Sequence, residues 1–176
     1  MKEEFTLSVF TENSIGMLTR ITNVFTRRHI NLDSLTVSES EVKQVFKYTV
    51  VFKSTQEQVD KLIGQLERLV EVFKVFAHKN SDIIYQELAL YKVKTNLLSN
   101  TQVEQIIRES QARILSVDKD FIAIEKTGYI EEIESLFNQL SSFGILEFTR
   151  SGRVAITKPM KCEEVHLIKN VYPSGN

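Results

Sequence analysis

Hydrophobic and polar residues follow one another along the first half of the chain in a pattern that predicts six secondary-structure elements. Four stretches rich in alternating, β-branched or aromatic residues are predicted strands, at residues 5–9, 32–37, 45–52 and 72–76. Apolar residues recur with helical spacing over residues 17–25 and 59–69. The predicted order is therefore strand, helix, strand, strand, helix, strand.

The second half of the chain repeats this order, with little residue identity to the first half. Its predicted strands lie at residues 84–93, 114–117, 121–124, 145–148 and 154–156. Helical apolar stripes cover residues 103–107 and 130–140. The polar residues 77–82 lie between the two halves and predict a linker.

These patterns predict the α+β class, with two tandem ferredoxin-like βαββαβ domains at residues 1–79 and 83–158. In such a domain two helices cover one face of an antiparallel sheet and leave the other face open. Because an open apolar face needs a partner, we expect dimerisation or docking. Residues 159–176 are predicted to be a flexible tail.

The composition argues against several partners and locations. The formal net charge of −1 gives no strong field that would attract nucleic acid or an anionic membrane. The first residues lack the features of a signal peptide, and no apolar run approaches the ~18 residues of a membrane helix. A single cysteine, Cys162, allows no internal disulfide and suits a reducing compartment. We expect a cytoplasmic protein without nucleic-acid or membrane partners.

Residues capable of catalysis do not form a recognisable pattern. None of the six glycines belongs to a dinucleotide-binding or phosphate-binding loop. His29, His78 and His166 are far apart in the sequence and lack the spacing of a metal-binding helix. These residues therefore provide no recognisable catalytic centre, metal site or phosphate-binding loop.

The loop before the first helix is the strongest candidate for a ligand site. The free N–H groups and the dipole of a helix N-terminus attract carboxylates, and Gly16 would let a ligand approach the backbone closely. Asn13 offers an acceptor for an ammonium and a donor for a carboxylate. The loop therefore suits a free amino acid. The alternative is that Asn13 or Ser14 only caps the helix.

RNA binding is an alternative function for a ferredoxin-like domain. It requires exposed aromatic residues on the central strands, where bases can stack. Phe46 and Tyr48 lie two residues apart in the third strand and so share a face. The usual RNA-binding motif around such aromatics is absent, which favours a buried or dimer-facing stripe.

Five segments, in family order, resemble the small, regulatory subunit of acetolactate synthase (acetohydroxyacid synthase), which begins with an ACT domain. The similar segments are residues 12–21, 25–37, 66–72, 87–93 and 144–155. Residues 25–37 resemble the family stretch F-S-R-R-G-Y-N-I-E-S-L-T-V. The resemblance extends over about residues 4–157 and identifies the first predicted domain as an ACT domain.

The resemblance implies a regulatory subunit that activates a catalytic large subunit and confers feedback inhibition by valine, with leucine and isoleucine as alternative effectors. Thiamine diphosphate, Mg and FAD are expected on that catalytic partner and not on this chain. The family forms a homodimer through its ACT domains, with the effector at the dimer interface. The rival class is a stand-alone amino-acid-binding regulator without an enzyme partner.

The resemblance also implies which residues bind the effector. One chain supplies the helix-start side of the site, with Asn13, Ile15, Gly16, Met17 and Leu18. The partner chain supplies Asn31 and Leu32, although Asn31 has the alternative role of turning the chain from helix into strand. Residues 150–153 are a candidate region for docking the catalytic subunit.

The sequence departs from the family pattern at several positions. His29 and Ile30 replace the usual Gly-Tyr pair, while Lys47 and Gln86 stand where arginine is common. Residues 38–44 lack the Pro and Gly often found there. The predicted effector positions are retained, so we expect the site to be present, while the identity of the effector is left open.

Overall fold

The computed structural model describes residues 2–95 and 101–158, which fold into two compact units. Among the described residues, the first unit contains those up to Ile84 together with residues 153–158, and the second lies within Tyr85–Gly152. Each unit has its own core of buried apolar residues. The predicted tail, residues 159–176, lies outside the described residues.

The first unit has a four-stranded antiparallel sheet with two helices on one face. Its elements are β1 (Glu3–Glu12), α1 (Met17–Arg27), β2 (Ser34–Glu39), β3 (Val45–Ser54), α2 (Gln56–Leu66) and β4 (Val72–Lys79). The strands lie in the order β2-β3-β1-β4. This arrangement confirms the predicted ferredoxin-like fold.

The core of the first unit lies between the helices and the sheet. Residues spaced four apart on α1 point into it: Met17, Ile21 and Phe25. Alternate residues of β1 meet them from the sheet: Phe5, Leu7 and Val9. Full burial of one such side chain contributes about 1.5–3 kcal/mol to folding, so the two stripes fix α1 on the sheet.

The second unit repeats the architecture. Its elements are β5 (Ile83–Lys94), α3 (Thr101–Glu109), β6 (Arg113–Val117), β7 (Phe121–Gly128), α4 (Ile130–Ser141) and β8 (Ile145–Arg150). The strands lie in the order β6-β7-β5-β8. Tyr91 is buried in this core, and its hydroxyl donates a 2.8 Å hydrogen bond to the carbonyl of Ile133. Burial raises the pKa of Tyr91 to about 12, so the hydroxyl stays a donor.

The stretch predicted to be a linker is regular structure. β4 continues to Lys79, a 3-10 turn covers Asn80–Asp82, and β5 begins directly at Ile83. The Asp82 carboxylate accepts a 3.3 Å hydrogen bond from the N–H of Lys79. The polar side chains here stabilise a tight turn, which composition alone does not distinguish from a loose connection.

The compact units also differ in extent from the predicted domains at the end of the described chain. Strand β9 (Val154–Thr157), predicted at residues 154–156, is hydrogen-bonded to the second sheet, as predicted, although it is grouped with the first compact unit. β9 pairs with β5, and the N–H of Lys158 donates a 2.9 Å hydrogen bond to the carbonyl of Asp82. The chain therefore returns to the first unit after completing the second.

The second face of the first sheet is covered, contrary to the prediction of an open face. Thr6, Ser8 and Phe10 alternate with the core residues of β1, yet each is at most 2% exposed. Arg153 lies on this face and is also 2% exposed. Its guanidinium donates to Thr6 Oγ1 at 2.8 Å and to Glu4 Oε1 at 2.9 Å. Residues 153–158, which return to the first unit, thus contribute to a covering that a partner was expected to supply.

The corresponding face of the second sheet is partly exposed. Leu88 is 39% exposed, and Phe121 is half-buried. The Lys92 ammonium lies 4.5 Å from the centre of the Phe121 ring and 3.6 Å from a carboxylate oxygen of Glu147. This face therefore combines apolar and charged groups.

Glu4 makes the first unit sensitive to acid. Burial raises the pKa of Glu4, but hydrogen bonds from Asn80 and Arg153 outweigh it and hold the pKa below its ordinary value of 4.5. A depressed pKa contributes stability that is present above the unfolded-state pKa and lost as the pH falls through the folded-state pKa.

We therefore predict that Glu4→Gln flattens the acid limb of the stability curve. The free energy of unfolding, measured by urea titration at successive pH values, should fall less steeply below about pH 4.5 than in the wild type. Glu41→Gln is the control, since Glu41 is exposed and has no ion pair in the described part of the chain. Equal slopes in the Glu4 variant and the wild type would contradict the prediction.

Candidate functional site

The predicted effector loop connects β1 to α1, and the side-chain amide of Asn13 in this loop is free of hydrogen bonds to the described residues. The residue that precedes α1 is Gly16, with φ of 82°, and no side chain caps the helix. Asn13 is exposed, and its side chain makes no hydrogen bond to any described residue. The alternative in which Asn13 or Ser14 caps the helix is therefore wrong for this conformation.

The start of α1 presents free backbone donors. The N–H of Met17 donates to Ser14 O at 3.3 Å, and the N–H of Arg20 donates to Gly16 O at 3.1 Å. Between them, the N–H groups of Leu18 and Thr19 have no acceptor among residues 2–95 and 101–158. A glycine next to such free donors, at the positive end of a helix dipole, suits a carboxylate.

Thr19 was not among the predicted site residues. Its contribution is a backbone N–H, so the identity of its side chain carries no signal. The position of the first helical residue, Met17, would have indicated it, because the first N–H groups of any helix lack partners inside that helix.

The apolar residues of the loop divide into two groups. Ile15 is fully exposed and Leu18 is 46% exposed, so both can contact an aliphatic ligand. Met17, in contrast, is 1% exposed and packs in the core below α1. The place of Met17 in the effector site stays a prediction; its side chain belongs to the buried stripe of the helix, which leaves only its backbone for a ligand.

The base of the loop is tied to the neighbouring strand. The N–H of Glu12 donates a 2.9 Å hydrogen bond to the carbonyl of Glu71, at the start of β4. The Arg20 guanidinium forms an ion pair with the Glu71 carboxylate. The hydrogen bond from Arg20 holds the pKa of Glu71 below its usual range. These contacts hold the first turn of α1 beside the loop at the end of the sheet.

The second predicted segment lies at the other end of α1. The N–H of Ile30 bonds to the carbonyl of Phe25 at 3.1 Å, which ends the helix, and His29 adopts a φ of +53°. Asn31 is exposed, and Leu32 is half-buried against the core. His29 stands where the resembling family has glycine, the residue that adopts this conformation most readily.

One chain does not bring the two halves of the site together. α1 has 11 residues and is therefore about 16 Å long, with Asn13 before its start and Asn31 after its end. The strand register also separates the two segments, because Glu12 pairs with Val45 whereas Ser34 pairs with Val51. Six residues along β3 separate these levels by about 20 Å.

The described residues lack two other features, a metal site and a membrane-spanning helix. No group of three or more histidine, cysteine or acidic side chains there could hold a metal ion. None of the helices in the same residues is both long and apolar enough to cross a membrane.

Comparison with known families covers both units. A family model described as "Small subunit of acetolactate synthase" matches residues 86–159, and one described as "AHAS small subunit-like ACT domain" matches residues 7–74. The acetolactate synthase small subunit of Bacillus subtilis is 36% identical over 159 residues, which cover 90% of this chain and 91% of that protein. The chain belongs to the acetolactate synthase small-subunit family.

Other relatives agree with this assignment. The small subunit of Mycobacterium leprae is 32% identical over 87% of this chain and 90% of its own length. The crystal structure of the Thermotoga maritima acetolactate synthase small subunit superimposes with a TM-score of 0.81 at 27% identity, covering 89% of this chain and 98% of that one. The resemblance read from the sequence is confirmed, and with it the regulatory, non-catalytic character of a family of small subunits.

The departure from the family at His29 leads to a stability prediction. A non-glycine residue in the left-handed region costs roughly 1–2 kcal/mol, part of which is offset because glycine loses more entropy on folding. His29→Gly should therefore raise the free energy of unfolding by roughly 0.5–1 kcal/mol, measured by urea denaturation.

Two controls accompany this measurement. Gln111 also has a φ of +53° at the end of α3, so Gln111→Gly should be stabilising in the same way. Asn23 lies inside α1, where glycine should be destabilising. A loss of stability in His29→Gly would show that the imidazole makes a contribution larger than the backbone strain.

Proposed function

We propose that this chain binds a branched-chain amino acid, valine first, between the ACT domains of a homodimer and thereby adjusts the activity of acetolactate synthase. Membership in the small-subunit family implies a catalytic large subunit as its partner. Activation of that subunit, feedback inhibition and the identity of the effector belong to the proposal. Thiamine diphosphate, Mg and FAD are expected on the catalytic partner, and a cytoplasmic location stays a prediction from the sequence.

The observation that carries the proposal is the set of free donors at the start of α1. The N–H groups of Leu18 and Thr19 point out of the first turn without an acceptor in the described residues, beside Gly16 and the unbonded amide of Asn13. A carboxylate here gains roughly 0.3–1 kcal/mol from the helix dipole, and up to about 2 kcal/mol when partly buried. Asn13 Oδ1 can accept from the ammonium of the same ligand.

The neighbouring side chains favour an aliphatic effector. Ile15 and Leu18 are exposed apolar residues next to the free donors, and Leu32 offers a third apolar surface on the other segment. Removing such surfaces from water contributes about 25 cal/mol per Å². A ligand with a charged backbone and an aliphatic side chain matches both parts of the site.

The topology supports assembly of the site from two chains. β2 is an edge strand, and its outer side has no strand neighbour among the described residues. If two copies of β2 pair antiparallel about a twofold axis, the start of one strand lies beside the end of the other. The β2 start carries Asn31 and Leu32, while the β2 end lies at the same sheet end as Glu12. Antiparallel pairing therefore brings Asn31 of one chain toward the Asn13 loop of its partner.

Regulation then follows from a shift between two arrangements of the dimer. A ligand held by both chains binds more tightly to the arrangement that closes the site, and it shifts the population only by that difference in affinity. A tenfold difference corresponds to about 1.4 kcal/mol, within the usual range of allosteric coupling. The catalytic subunit responds to whichever arrangement is populated.

RNA binding is the weaker alternative. Phe46 and Tyr48 face the helix side of the first sheet, where Tyr48 is 6% exposed and Phe46 packs against the core. Neither side chain offers a free surface for a stacked base. Family membership in turn favours a subunit of an enzyme over a stand-alone regulator.

The proposal is tested by isothermal titration calorimetry of valine, leucine and isoleucine. We expect the wild type to bind at least one of them, and Asn13→Ala to weaken binding by about 10- to 100-fold, because one hydrogen bond to a charged group contributes roughly 1.5–3 kcal/mol. Asn23→Ala is the matched control, since Asn23 is an exposed asparagine within α1.

Two outcomes would contradict the proposal. If the wild type binds none of the three amino acids, the chain is not a branched-chain sensor. If Asn13→Ala binds as tightly as Asn23→Ala, the loop is not the site. Co-purification with the large subunit separates a regulatory subunit from a stand-alone sensor, since the latter would not be retained.

A further inference from the structure

Arg153 is held at the point where the chain returns to the first unit. Its Nη1 donates to Thr6 Oγ1 at 2.8 Å and to Asn80 Oδ1 at 3.1 Å, and its Nη2 donates to Glu4 Oε1 at 2.9 Å. Its backbone N–H donates to Ser34 Oγ at 3.2 Å. The residue is 2% exposed, so it is not available for the direct contact with the catalytic subunit that was predicted for residues 150–153.

These contacts join three elements that are separate in the sequence. Glu4 and Thr6 belong to β1, Ser34 is the first residue of β2, and Asn80 lies in the turn before β5. Arginine suits this position, because a planar guanidinium presents several donors in fixed directions, whereas a lysine ammonium does not span the same acceptors. Removing the guanidinium would break the ion pair with Glu4.

The segment after Arg153 follows the same sheet. Lys47 Nζ, on β3, donates to the carbonyl of Ala155 at 3.3 Å. Lys158 Nζ donates to the carbonyl of Ser81 at 2.8 Å. The returning segment, defined here as residues 153–158, therefore contacts the first unit at Arg153, Ala155 and Lys158, while its strand β9 pairs with β5.

The residues just before Arg153 are attached to the second unit. The N–H of Ser151 donates to Leu88 O at 2.8 Å, and Ser151 Oγ accepts from the N–H of Leu88 at 2.9 Å. Arg150 forms a 3.2 Å ion pair with Glu87. Only Gly152 separates the two sets of attachments, so a displacement of Arg153 must be taken up within one residue or passed to Ser151.

The contact with Ser34 connects this segment to the proposed effector site. Ser34 follows Asn31 and Leu32 by two to three residues, and the intervening Asp33 is fixed by a 2.8 Å hydrogen bond from its N–H to Val51 O. A ligand that repositions Asn31 would therefore act on the strand end that Arg153 contacts. Short hydrogen-bonded chains of this kind transmit small shifts because packed elements move as units.

We propose that Arg153 is a positioning residue that couples effector binding at the start of β2 to the second unit through the returning segment. This inference rests on the proposed function, and it adds the route by which an occupied site changes the rest of the subunit. The coupling works in both directions, so whatever holds the second unit also adjusts the affinity of the effector site.

The test uses the full chain assembled with its large subunit and three readouts. They are valine affinity by calorimetry, the change in large-subunit activity at saturating valine, and hydrogen exchange of the β8 amides with and without valine. We expect Arg153→Met to bind valine but to lose the valine-dependent change in activity by about fivefold or more, the lower range of allosteric coupling. The valine-dependent change in β8 exchange should disappear with it.

A matched control separates coupling from stability. Arg113→Met removes an arginine–glutamate pair between β6 and β7 of the second unit and should keep the full valine response. Ser34→Ala is the milder variant should Arg153→Met fold poorly, and it should reduce the response while leaving the fold intact.

The outcomes distinguish the two proposals. If wild type binds valine and a folded Arg153→Met or Ser34→Ala chain keeps the full response, the coupling role is wrong while the proposed function stands. If wild type binds no branched-chain amino acid, the proposed function fails and the coupling role fails with it. Loss of stability with an unchanged response would mean that Arg153 is structural only.

Discussion

Helix α1 imposes the constraint on which the proposed sensor depends. Its buried stripe of Met17, Ile21 and Phe25 fixes it along the sheet, so its two ends point away from each other at a separation of about 16 Å. The groups that suit a carboxylate lie before its start, and Asn31 lies after its end. A free amino acid is far too short to contact both. Sensing by both segments is therefore a property of two chains and not of one.

Because the site needs two chains, the edge strand β2 has two roles. Its free side is available for a second copy of the chain, and its first residue, Ser34, accepts a hydrogen bond from Arg153. The first unit is completed only by chain that has already passed through the second unit. Thr6 and Glu4 both accept hydrogen bonds from Arg153, and such directional polar contacts make the attachment more specific than an apolar face would.

Much of this organisation could be predicted from the sequence, because it rests on local periodicity. The four helices and the strands at 45–52 and 121–124 follow from apolar spacing, and the repeated order gave the ferredoxin-like class. Pairing partners have no such signal. The four residues of β9 predict a strand, but they do not show that the chain beside it also contacts the first unit, which depends on the buried Arg153. Likewise, polar residues 77–82 resemble a linker until their hydrogen bonds are known.

In the predicted site, too, the position of a residue in the sequence was predictable, whereas its packing and backbone conformation were not. Gly16, Ile15 and the exposed Asn13 lie in the loop before α1, as the motif implied. The Met17 side chain packs in the core instead, so only its backbone is left for a ligand. The positive φ of His29 could not be predicted from the sequence either. The replacement of a family glycine by histidine is destabilising only if the backbone there is left-handed, which the structure shows at the end of α1. The free N–H of Thr19 depends on where the helix begins and not on residue type.

A mixed dimer tests the central claim, that one effector site is built from two chains. Asn13→Ala and Asn31→Ala chains are co-expressed with different affinity tags, and the heterodimer is purified over both. In that dimer one site carries both substitutions and the other carries neither. The account predicts that neither homodimer binds valine with wild-type affinity, while the heterodimer binds one valine per dimer with wild-type affinity. A heterodimer that binds no better than the homodimers would contradict it.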